Sequence, residues 1–587
     1  MQKVILITLC LVSFFIEAQT LTQNRSVDWT LAGLRDTTTN NFQYIDMQTF
    51  GVVNDSLTPN DVMFSNALNS VSGVGAILVF PAGFFLFNST LNLPSNIIIR
   101  GQGADRTTFV FDLGGNGNSF HILGNSSSLD TTCLTQISIK DSLSIYVNNA
   151  TIFSIGDYFQ IIQQDADLVT SSWAENSVGQ IIEIANIIGN KIILESPLRM
   201  DYTVARTPYI QKITPSKNVG IECLKILRID DTSPQQKSNI YFKYAVNCWV
   251  SGIESENCTF SHIEASNSSN ISISKSYFHH GFDYGGGGRA YGVMLQATSG
   301  ECLVEDNIFE YLRHSMILQS GANGNVFAYN YSFDPFWTST PNDAAGDMVL
   351  HGNYTYANLF EQNICRNIVI DDSHGPNGPY NTFFRNRAEG YGIFFSASNS
   401  PNQNFIGNDI SNTNFPYNLV NYRILGTGHF LYGNNNKGVI TPSGTNALPD
   451  LSYAYLIKPN FIIQTQWAAI GTPSVMSANN IPAFDRYNSN VIFSNSCSNI
   501  VTSINNKAID IKNEISYPNP FNAKFSIAMK TSIVELKVYN VYGQLIETLD
   551  GNGNELLVNG EKWVNGIYFI DVLLSDGKRV VKRIVKT

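Results

Sequence analysis

Five short blocks in the middle of the chain decide the fold. They are YGVMLQ (291–296), HSMILQ (314–319), GDMVLH (346–351), NIVIDD (367–372) and YGIFFS (391–396). The steps from one block to the next are 23, 32, 21 and 24 residues. A short, apolar, β-rich segment that recurs at such a period is typical of a solenoid, in which every repeat forms one coil and the coils stack on each other.

A second set of repeats carries an asparagine at a constant place, with steps of 23, 33, 23 and 22 residues. Its members are Asn307, Asn330, Asn363, Asn386 and Asn408. A further column holds Asn325, Asn358 and Asn381. Equivalent residues of stacked coils lie about 4.8 Å apart. We therefore expect these side chains to hydrogen-bond to one another and to backbone groups at the turns.

The regions on either side of the repeats complete the domain organisation. Residues 60–71 form an amphipathic pattern that predicts a helix, which would cap the open end of the solenoid. The tail alternates apolar and polar residues between glycine turns, which predicts a small antiparallel β-sandwich. The predicted boundaries are a signal peptide at 1–18, an all-β parallel β-helix catalytic domain at 19–497, a linker at 498–513 and the C-terminal domain at 514–587.

Composition and the N-terminus limit the function. Charged residues make up 14% of the chain, against about 25% on average, and the net charge is −11. That balance argues against nucleic acid as a partner. Lys3 precedes an apolar run of signal-peptide length at 4–16, and Ala18 is the expected cleavage point. We expect no membrane span in the mature chain, because no later apolar run approaches 20 residues.

The cysteines do not suggest a disulfide framework. Seven remain after the predicted signal peptide, an odd number without paired spacing. We expect them to act as small buried apolar residues.

Two stretches near the N-terminus resemble a known family. GVVNDSLTPNDVMFSNALNSV (51–71) and ILVFPAGFFLFNSTLNLPSNIIIRGQG (77–103) resemble the opening of pectate-lyase-superfamily proteins. LPDLSYAYLIKPNF (448–461) is similar to the segment that follows the last coil in such proteins. The resemblance implies a right-handed parallel β-helix and a relation to the pectin glycoside hydrolases.

The tail resembles a second family. YPNPFN (517–522), VYNVYGQLIETL (538–549) and NGIYFIDV (565–572) resemble the C-terminal sorting domain of the Bacteroidota type IX secretion system. The resemblance implies that the type IX secretion machinery is a partner. It also implies that the chain is secreted or reaches the cell surface.

The repeat register proposes a site. In each six-residue block, positions three and five are apolar and should face the core, so positions six and two should face outward. His351 and Asp372 then become neighbours on adjacent coils, with Asp347 on the same face and His374 just beyond. Asp371 falls in an apolar column. It either ends the core strand or is partly buried with a raised pKa.

These residues suggest glycan chemistry. The candidate catalytic residues are Asp347, His351, Asp371, Asp372 and His374. Glycoside hydrolysis needs an acid and a base or nucleophile on opposite sides of the bond, and two or three carboxylates with a histidine supply both. A uronate lyase needs a base and a cation, and calcium held by Asp347, Asp371 and Asp372 would provide the cation. A non-catalytic glycan-binding surface protein is the third alternative.

Two insertions, at 279–290 and 333–345, should leave one edge of the solenoid and flank a groove with the stretch GPNGPY (375–380). The candidate substrate-binding residues are Tyr284, Arg289, Arg313, Trp337, Tyr380, Arg385 and Arg387. We therefore predict a secreted enzyme that cleaves the glycosidic bonds of a polysaccharide or oligosaccharide. Hydrolysis is placed ahead of calcium-assisted elimination.

Overall fold

The computed structural model describes residues 20–35, 41–71, 73–230, 235–419, 422–463, 467–492, 515–517, 521–540, 544–575 and 579–586. The predicted signal peptide and the predicted linker lie outside the described residues.

Three parallel sheets form the body of the protein, and each coil visits them in the order 1, 2, 3. Sheet 1 consists of Gln43–Asp46, Ala76–Val79, Ile97–Arg100, Gly220–Glu222, Trp249–Ser251, Ser272–Ser274, Leu303–Glu305, Val326–Ala328, Leu359–Glu361, Thr382–Phe384, Asn404–Ile406 and Phe430–Tyr432. Its strands stack in parallel from the first coil to the last, which confirms the predicted parallel β-helix.

Sheets 2 and 3 share two long strands, which pass from one sheet into the other. Sheet 2 consists of Asp55–Pro59, Gly83–Phe87, Thr107–Phe111, Lys225–Arg228, Glu254–Glu256, Tyr277–His279, Ile308–Glu310, Tyr331–Phe333, Asp409–Ile410, Asn434–Asn436 and the antiparallel Val439–Thr441. Sheet 3 consists of Leu91–Asn92, Phe120–Leu123, Ile240–Lys243, Ser261–Ser266, Tyr291–Gln296, His314–Leu318 and Met348–Leu350. The shared strands are Ile364–Ile370 and Arg387–Phe395. A separate short parallel pair joins Ser216–Lys217 to Ala245–Val246.

The space between the three sheets is filled by apolar side chains in columns. Phe327, Phe360, Phe383 and Phe405 stack face to face along sheet 1, with ring centroids 5.0 to 5.1 Å apart. This separation is close to the strand spacing, so each coil places one ring on the ring below. The repeat in the sequence is thus the repeat of the core.

The asparagine columns form continuous ladders. Nδ2 of Asn330 donates to Oδ1 of Asn363 at 2.9 Å, and Asn363 donates to Asn386 at the same distance. The ladder begins at Asn307 and continues through Asn408 to Asn434, one coil further than the sequence columns indicate. Because every member also bonds to backbone groups at the turn between sheets 1 and 2, the predicted structural role is confirmed.

A helix closes the N-terminal end of the core as predicted. Helix α1 (Asp61–Ser70) buries Phe64 against Phe80 and Phe87, with ring centroids 6.4 and 6.0 Å away. Helix α2 (Pro482–Asn488) follows the last coils. Neither helix in the described part of the chain is long and apolar enough to cross a bilayer. The 3₁₀ turns are Gln23–Arg25, Trp29–Leu31, Met47–Phe50, Ser172–Ala174, Val204–Arg206 and Tyr417–Leu419.

An inserted subdomain at 125–214 interrupts the solenoid, and the repeat pattern does not predict it. It is a six-stranded antiparallel sheet with its own apolar core. In spatial order its strands are Ser144–Tyr146, Lys191–Leu194, Gln180–Ile188, Tyr158–Ile162, Tyr209–Thr214 and Asn125–Cys133. It packs on the turns that lead from sheet 3 to sheet 1, where the buried Arg199 pairs with Glu301 at 2.7 Å.

The C-terminal region is a five-stranded antiparallel sheet. Its strands are Ile515–Tyr517, Lys524–Asn540, Leu545–Asn559, Gly566–Leu574 and Arg579–Lys586. The two longest pair with each other through several register shifts, and one of their faces covers an apolar cluster. The antiparallel β character predicted for the tail is confirmed.

The cysteines follow the prediction only in part. Cys248, Cys258, Cys302 and Cys365 are free and buried, as expected. Cys133 is free but exposed, and Cys223 is disulfide-bonded, so the predicted buried apolar role is wrong for both.

Candidate functional site

The outward face of sheet 3 forms the floor of a groove. On one side of it lies the inserted subdomain. On the other side lie two loops, 280–290 and 334–347, which both connect sheet 2 to sheet 3. The loops touch each other, because Tyr284 packs edge-on against Phe336 with ring centroids 5.2 Å apart. The predicted position of the insertions at one edge of the solenoid is therefore found.

The register at the centre of this floor differs by one residue from the sequence alignment. Leu350 pairs with Ile370, so His351 is followed on the next coil by Asp371 and not by Asp372. The backbone confirms this, because the N–H of Asp371 donates to the carbonyl of Leu350 at 2.8 Å. The predicted ladder of His351 with Asp372 is wrong, and Asp371 occupies the outward column.

An irregularity in the shared strand causes the slip. Pairing between Ile364–Ile370 and Arg387–Phe395 shifts after Cys365, where the chain passes from sheet 2 into sheet 3. One extra residue at such a point moves every later side chain to the opposite face. Ile368 and Ile370 therefore face the core, and Val369 packs with the outward cluster.

His351 and Asp371 form a dyad. Nδ1 of His351 lies 2.7 Å from Oδ2 of Asp371. Burial opposes ionisation of Asp371, but the hydrogen bond and charge of His351, followed by bonds from Ser373, hold the pKa of the carboxyl well below its usual range. Asp371 is thus a carboxylate, and the sequence-based alternative of a raised pKa is wrong. With Nδ1 directed to the carboxylate, Nε2 is left to exchange a proton.

Aromatic and imidazole rings form a row across the groove. From Tyr291 the row passes through His314, His351 and His374, with successive ring centroids 5.1, 5.7 and 4.8 Å apart. It ends at Trp173 of the inserted subdomain, 5.9 Å from His374. The dyad thus lies in the middle of a line that joins the two walls.

The flanking histidines favour the neutral form. Burial, followed by the charge of His351, lowers the pKa of His314 to about 3, and its Nδ1–H donates to the carbonyl of Gly346 at 2.9 Å. The same two causes lower the pKa of His374. Neutral neighbours leave the Asp371 carboxylate as the charged partner of His351.

Asp372 lies beside the dyad but is engaged by a turn. Its Oδ2 accepts the N–H of Asn399 at 2.9 Å, and its Oδ1 accepts the hydroxyl of Ser400 and the amide of Asn377. Partial burial raises the pKa of Asp372, and the charge of Asp371 adds to the effect. Asp371 and Asp372 thus have pKa values shifted in opposite directions.

Asp347 is not on the groove floor, so its predicted place is wrong. It is 0% exposed. Its Oδ1 accepts the hydroxyl of Ser332 at 2.5 Å, and its Oδ2 accepts the N–H groups of Arg366 and Asn367. The strand of this coil begins at Met348, so side-chain alternation cannot be extended back to Asp347. Burial raises the pKa of Asp347 to about 6.

We expect Asp347→Asn to leave glycan cleavage unchanged and to remove one source of pH-dependent stability. An unfolded aspartate has a pKa of about 3.9. Between about pH 4 and 6 the folded protein therefore binds more protons than the unfolded chain. This carboxyl makes the wild type lose on the order of 3 kcal/mol as pH rises through that window, and nothing further above it. Urea denaturation of both proteins from pH 4 to 7 measures the difference.

The variant Asp347→Ala is the matched control for the side-chain bonds. It leaves the N–H groups of Arg366 and Asn367 unpaired, which costs about 1–3 kcal/mol for each group at every pH. A loss of cleavage in Asp347→Asn without a loss of stability would contradict the structural role and return Asp347 to the active site.

The predicted calcium ligands do not converge. Asp347 is fully engaged beneath the sheet, while Asp371 and Asp372 lie on its outer side. Among the described residues, the metal-like cluster lies elsewhere, on sheet 2, where Glu254, Glu256 and His279 bring ligand atoms within 4.8 Å of one another. The ammonium of Lys225 pairs with both of these glutamates. A calcium site at Asp347, Asp371 and Asp372 is therefore not supported.

Four of the predicted substrate-binding residues lie in or beside the loops. Tyr284 accepts the N–H of Gly281 at 2.9 Å, and Arg289 pairs with Asp283 at 2.9 Å. Trp337 donates to the carbonyl of Pro341 at 2.7 Å. Arg313 lies next to His314, with its guanidinium 5.9 Å from the ring centroid of Tyr291. Their substrate contacts remain predictions.

The other three predicted substrate contacts have different partners. Arg385 is 0% exposed and donates to the carbonyls of Leu448, Asp450, Ile470 and Thr472. Arg387 is buried, donates to residues 479 and 480 and pairs with Glu389. Tyr380 packs under the guanidinium of Arg25. The two arginines fasten the C-terminal segment of the solenoid, so their predicted substrate role is wrong.

A polar ladder runs along the groove toward the dyad, and the sequence analysis did not select it. Gln296 donates to Glu264 at 2.8 Å, and Gln319 donates to Gln296 at 2.5 Å. Burial raises the pKa of Glu264, while its bond to Ser238 acts against the rise. His351 follows Gln319 in the same column. Position six of the repeat identifies both glutamines, and position one identifies Tyr291 and His314.

Comparisons with known proteins match two separate regions of the chain. Residues 44–190 match the family described as "Rhamnogalacturonase A/epimerase, pectate lyase-like". Residues 516–587 match the "Secretion system C-terminal sorting domain". Both resemblances drawn from the sequence are thereby confirmed. The sorting domain marks the chain for export by the type IX route to the cell surface or the medium, as predicted.

A curated relative and several solved structures are similar to parts of the chain. The capsule K1-specific depolymerase of Klebsiella phage K64-1 is 25% identical over 173 residues, which are 29% of this chain and 19% of that protein. Tailspike protein gp49 of Pseudomonas phage LKA1 has a TM-score of 0.47 at 16% identity, covering 63% of this chain and 64% of that one. The A-module of the Azotobacter vinelandii mannuronan C-5 epimerase AlgE6 has a TM-score of 0.34 at 10% identity, covering 68% and 98%.

Proposed function

We propose that the chain is an exported enzyme that cleaves an acidic polysaccharide by β-elimination. His351 is the general base, and Asp371 holds it in the productive tautomer. The observation that carries the proposal is the 2.7 Å contact of His351 with Asp371 on an open groove floor. A histidine held by a carboxylate is suited to removing a proton at neutral pH.

In this reaction Nε2 of His351 takes the proton from the carbon next to the carboxylate of a uronate. The electron pair forms a double bond in the sugar, and the bond to the glycosidic oxygen breaks. The leaving oxygen takes a proton from a second group, and His374 is the neighbouring candidate, with its ring centroid 4.8 Å from that of His351. Arg313, beside Tyr291, is the candidate cation for the uronate carboxylate.

Two further observations support carbohydrate chemistry on this groove. The N-terminal match is to a family whose description includes a rhamnogalacturonase and an epimerase, and the curated relative is named a capsule depolymerase. The chain spans about a fifth of that relative, so its substrate is a guide to the class only. A surface-exposed or secreted enzyme would meet polysaccharides outside the cell.

Glycoside hydrolysis is the second candidate, and the sequence alone places it first. The opposite pKa shifts of Asp371 and Asp372 favour it, because an acid and a base are needed together. Two findings place elimination ahead. Asp347 is removed from the groove, and both oxygens of Asp372 already bond to turn residues.

A polysaccharide screen tests the proposal. The full chain is incubated with uronate-containing and neutral polysaccharides, and both reducing ends and the ultraviolet absorbance of unsaturated products are measured. Elimination is expected to raise both signals on a uronate polymer, and His351→Ala is expected to remove both. Reducing ends without absorbance would establish hydrolysis instead. Binding without cleavage would establish the non-catalytic glycan-binding alternative.

A further inference from the structure

Trp173 is an exposed aromatic side chain beside the dyad, on the inserted subdomain. It lies in the 3₁₀ turn Ser172–Ala174 and is 56% exposed. Its ring meets His374 at 78°, with centroids 5.9 Å apart, at the end of the row of rings that crosses the groove. The indole is thus open to solvent next to the groups that we place in the reaction.

The segment that carries Trp173 is held firmly on both sides. The carboxylate of Asp165 accepts the N–H groups of Asn176 and Val178, at 2.7 and 2.9 Å. Oδ1 of Asn353 accepts the N–H groups of residues 170 and 171, and the N–H of Asn353 donates to the carbonyl of His374. One buried asparagine therefore fixes both the Trp173 turn and the His374 turn.

A glycine allows the two turns to approach closely. Gly375 has a φ of +83°, and a Cβ atom at this position would lie 2.4 Å from Oγ1 of Thr170. A larger residue here would push the subdomain away from the groove. The approach of Trp173 to His374 thus depends on backbone packing and not on the indole itself.

We propose that Trp173 is the stacking platform for the sugar ring next to the bond that is cleaved. A pyranose with C–H groups on one face packs on an indole face, and an exposed tryptophan on a rigid segment offers that surface without an ordering cost. The platform would select sugars that have such a face and would hold them beside His351. The location of the bond rests on the proposed function; the binding role of Trp173 does not.

Two variants of Trp173 and one control test the platform. Trp173→Ala is expected to raise KM about 3- to 10-fold with kcat changed less than about twofold, and Trp173→Phe is expected to recover most of the KM. The control Tyr44→Ala removes another exposed ring, 68% exposed in the first strand of sheet 1, and should change neither constant. Thermal melting of each variant verifies that the fold is retained.

A binding measurement separates this proposal from the cleavage proposal. Retardation of the chain in gels that contain each polysaccharide of the screen is compared for the Asp371→Asn protein with and without Trp173→Ala. Loss of retardation with Trp173→Ala supports the platform even if the wild type cleaves nothing. An unchanged KM and unchanged retardation in Trp173→Ala, or the absence of retardation by any polysaccharide, would overturn it.

Discussion

The substitution Asp371→Asn is expected to lower kcat on the cleaved polysaccharide on the order of 10³-fold while KM stays within about threefold. The carboxylate lies 2.7 Å from Nδ1 of His351 and fixes which ring nitrogen carries the proton. An amide can turn its NH₂ group toward the ring and so hold the opposite tautomer, which leaves Nε2 unable to accept a proton. Initial rates on the polysaccharide identified by the screen measure the effect.

Two neighbouring carboxylates supply the controls for this prediction. Asp167→Asn changes an exposed aspartate that pairs with Arg206 outside the row of rings, and it should leave kcat unchanged. Asp372→Asn separates the two mechanisms. Under elimination it should retain at least about a tenth of kcat, because Asp372 bonds only to turn residues, whereas under hydrolysis it should fall as far as Asp371→Asn. Full activity in Asp371→Asn would remove the dyad from the mechanism.

The sequence predicts the solenoid well, because the repeat is written in the residues that build the core and the turns. The columns of asparagine become bonded ladders, and the apolar positions of the blocks become the stacks between sheets. Both depend on a period that any aligned coil reveals. His351, Asp371, Asp372 and His374 were therefore selected from the sequence and do come together.

The remaining errors come from places where the period breaks. The irregularity after Cys365 shifts the register by one residue, so the alignment assigned Asp372 to the place that Asp371 occupies. Asp347 lies before its strand begins, where alternation has no meaning. Arg385 has the residue type expected in a sugar site, but it is buried by a segment more than 60 residues away in sequence. Trp173 belongs to a subdomain that shares no period with the coils.

The largest loss of stability is expected from Asn363→Ala, in the middle of the asparagine ladder. Oδ1 of Asn363 accepts both the N–H and the amide of Asn330, and its Nδ2 donates to the carbonyl of Phe327 and to Asn386. Removing this amide leaves several buried polar groups without partners in a place that water does not reach. At about 1–3 kcal/mol for each group, we expect the free energy of unfolding to fall by about 4 kcal/mol or more.

The isosteric change Asn363→Asp distinguishes a bonding role from a packing role. A carboxylate fills the same space and accepts from Asn330, but it cannot donate, so two acceptors, from Phe327 and Asn386, would face a buried negative charge. Asn363→Asp should therefore be at least as destabilising as Asn363→Ala at pH 7 and less so near pH 4, where the acid is protonated and can donate. Urea denaturation at both pH values measures this, with Asn342→Ala on an exposed loop as a control expected to stay within about 0.5 kcal/mol of wild type. Wild-type stability of Asn363→Asp at pH 7 would show that the column is held by shape alone.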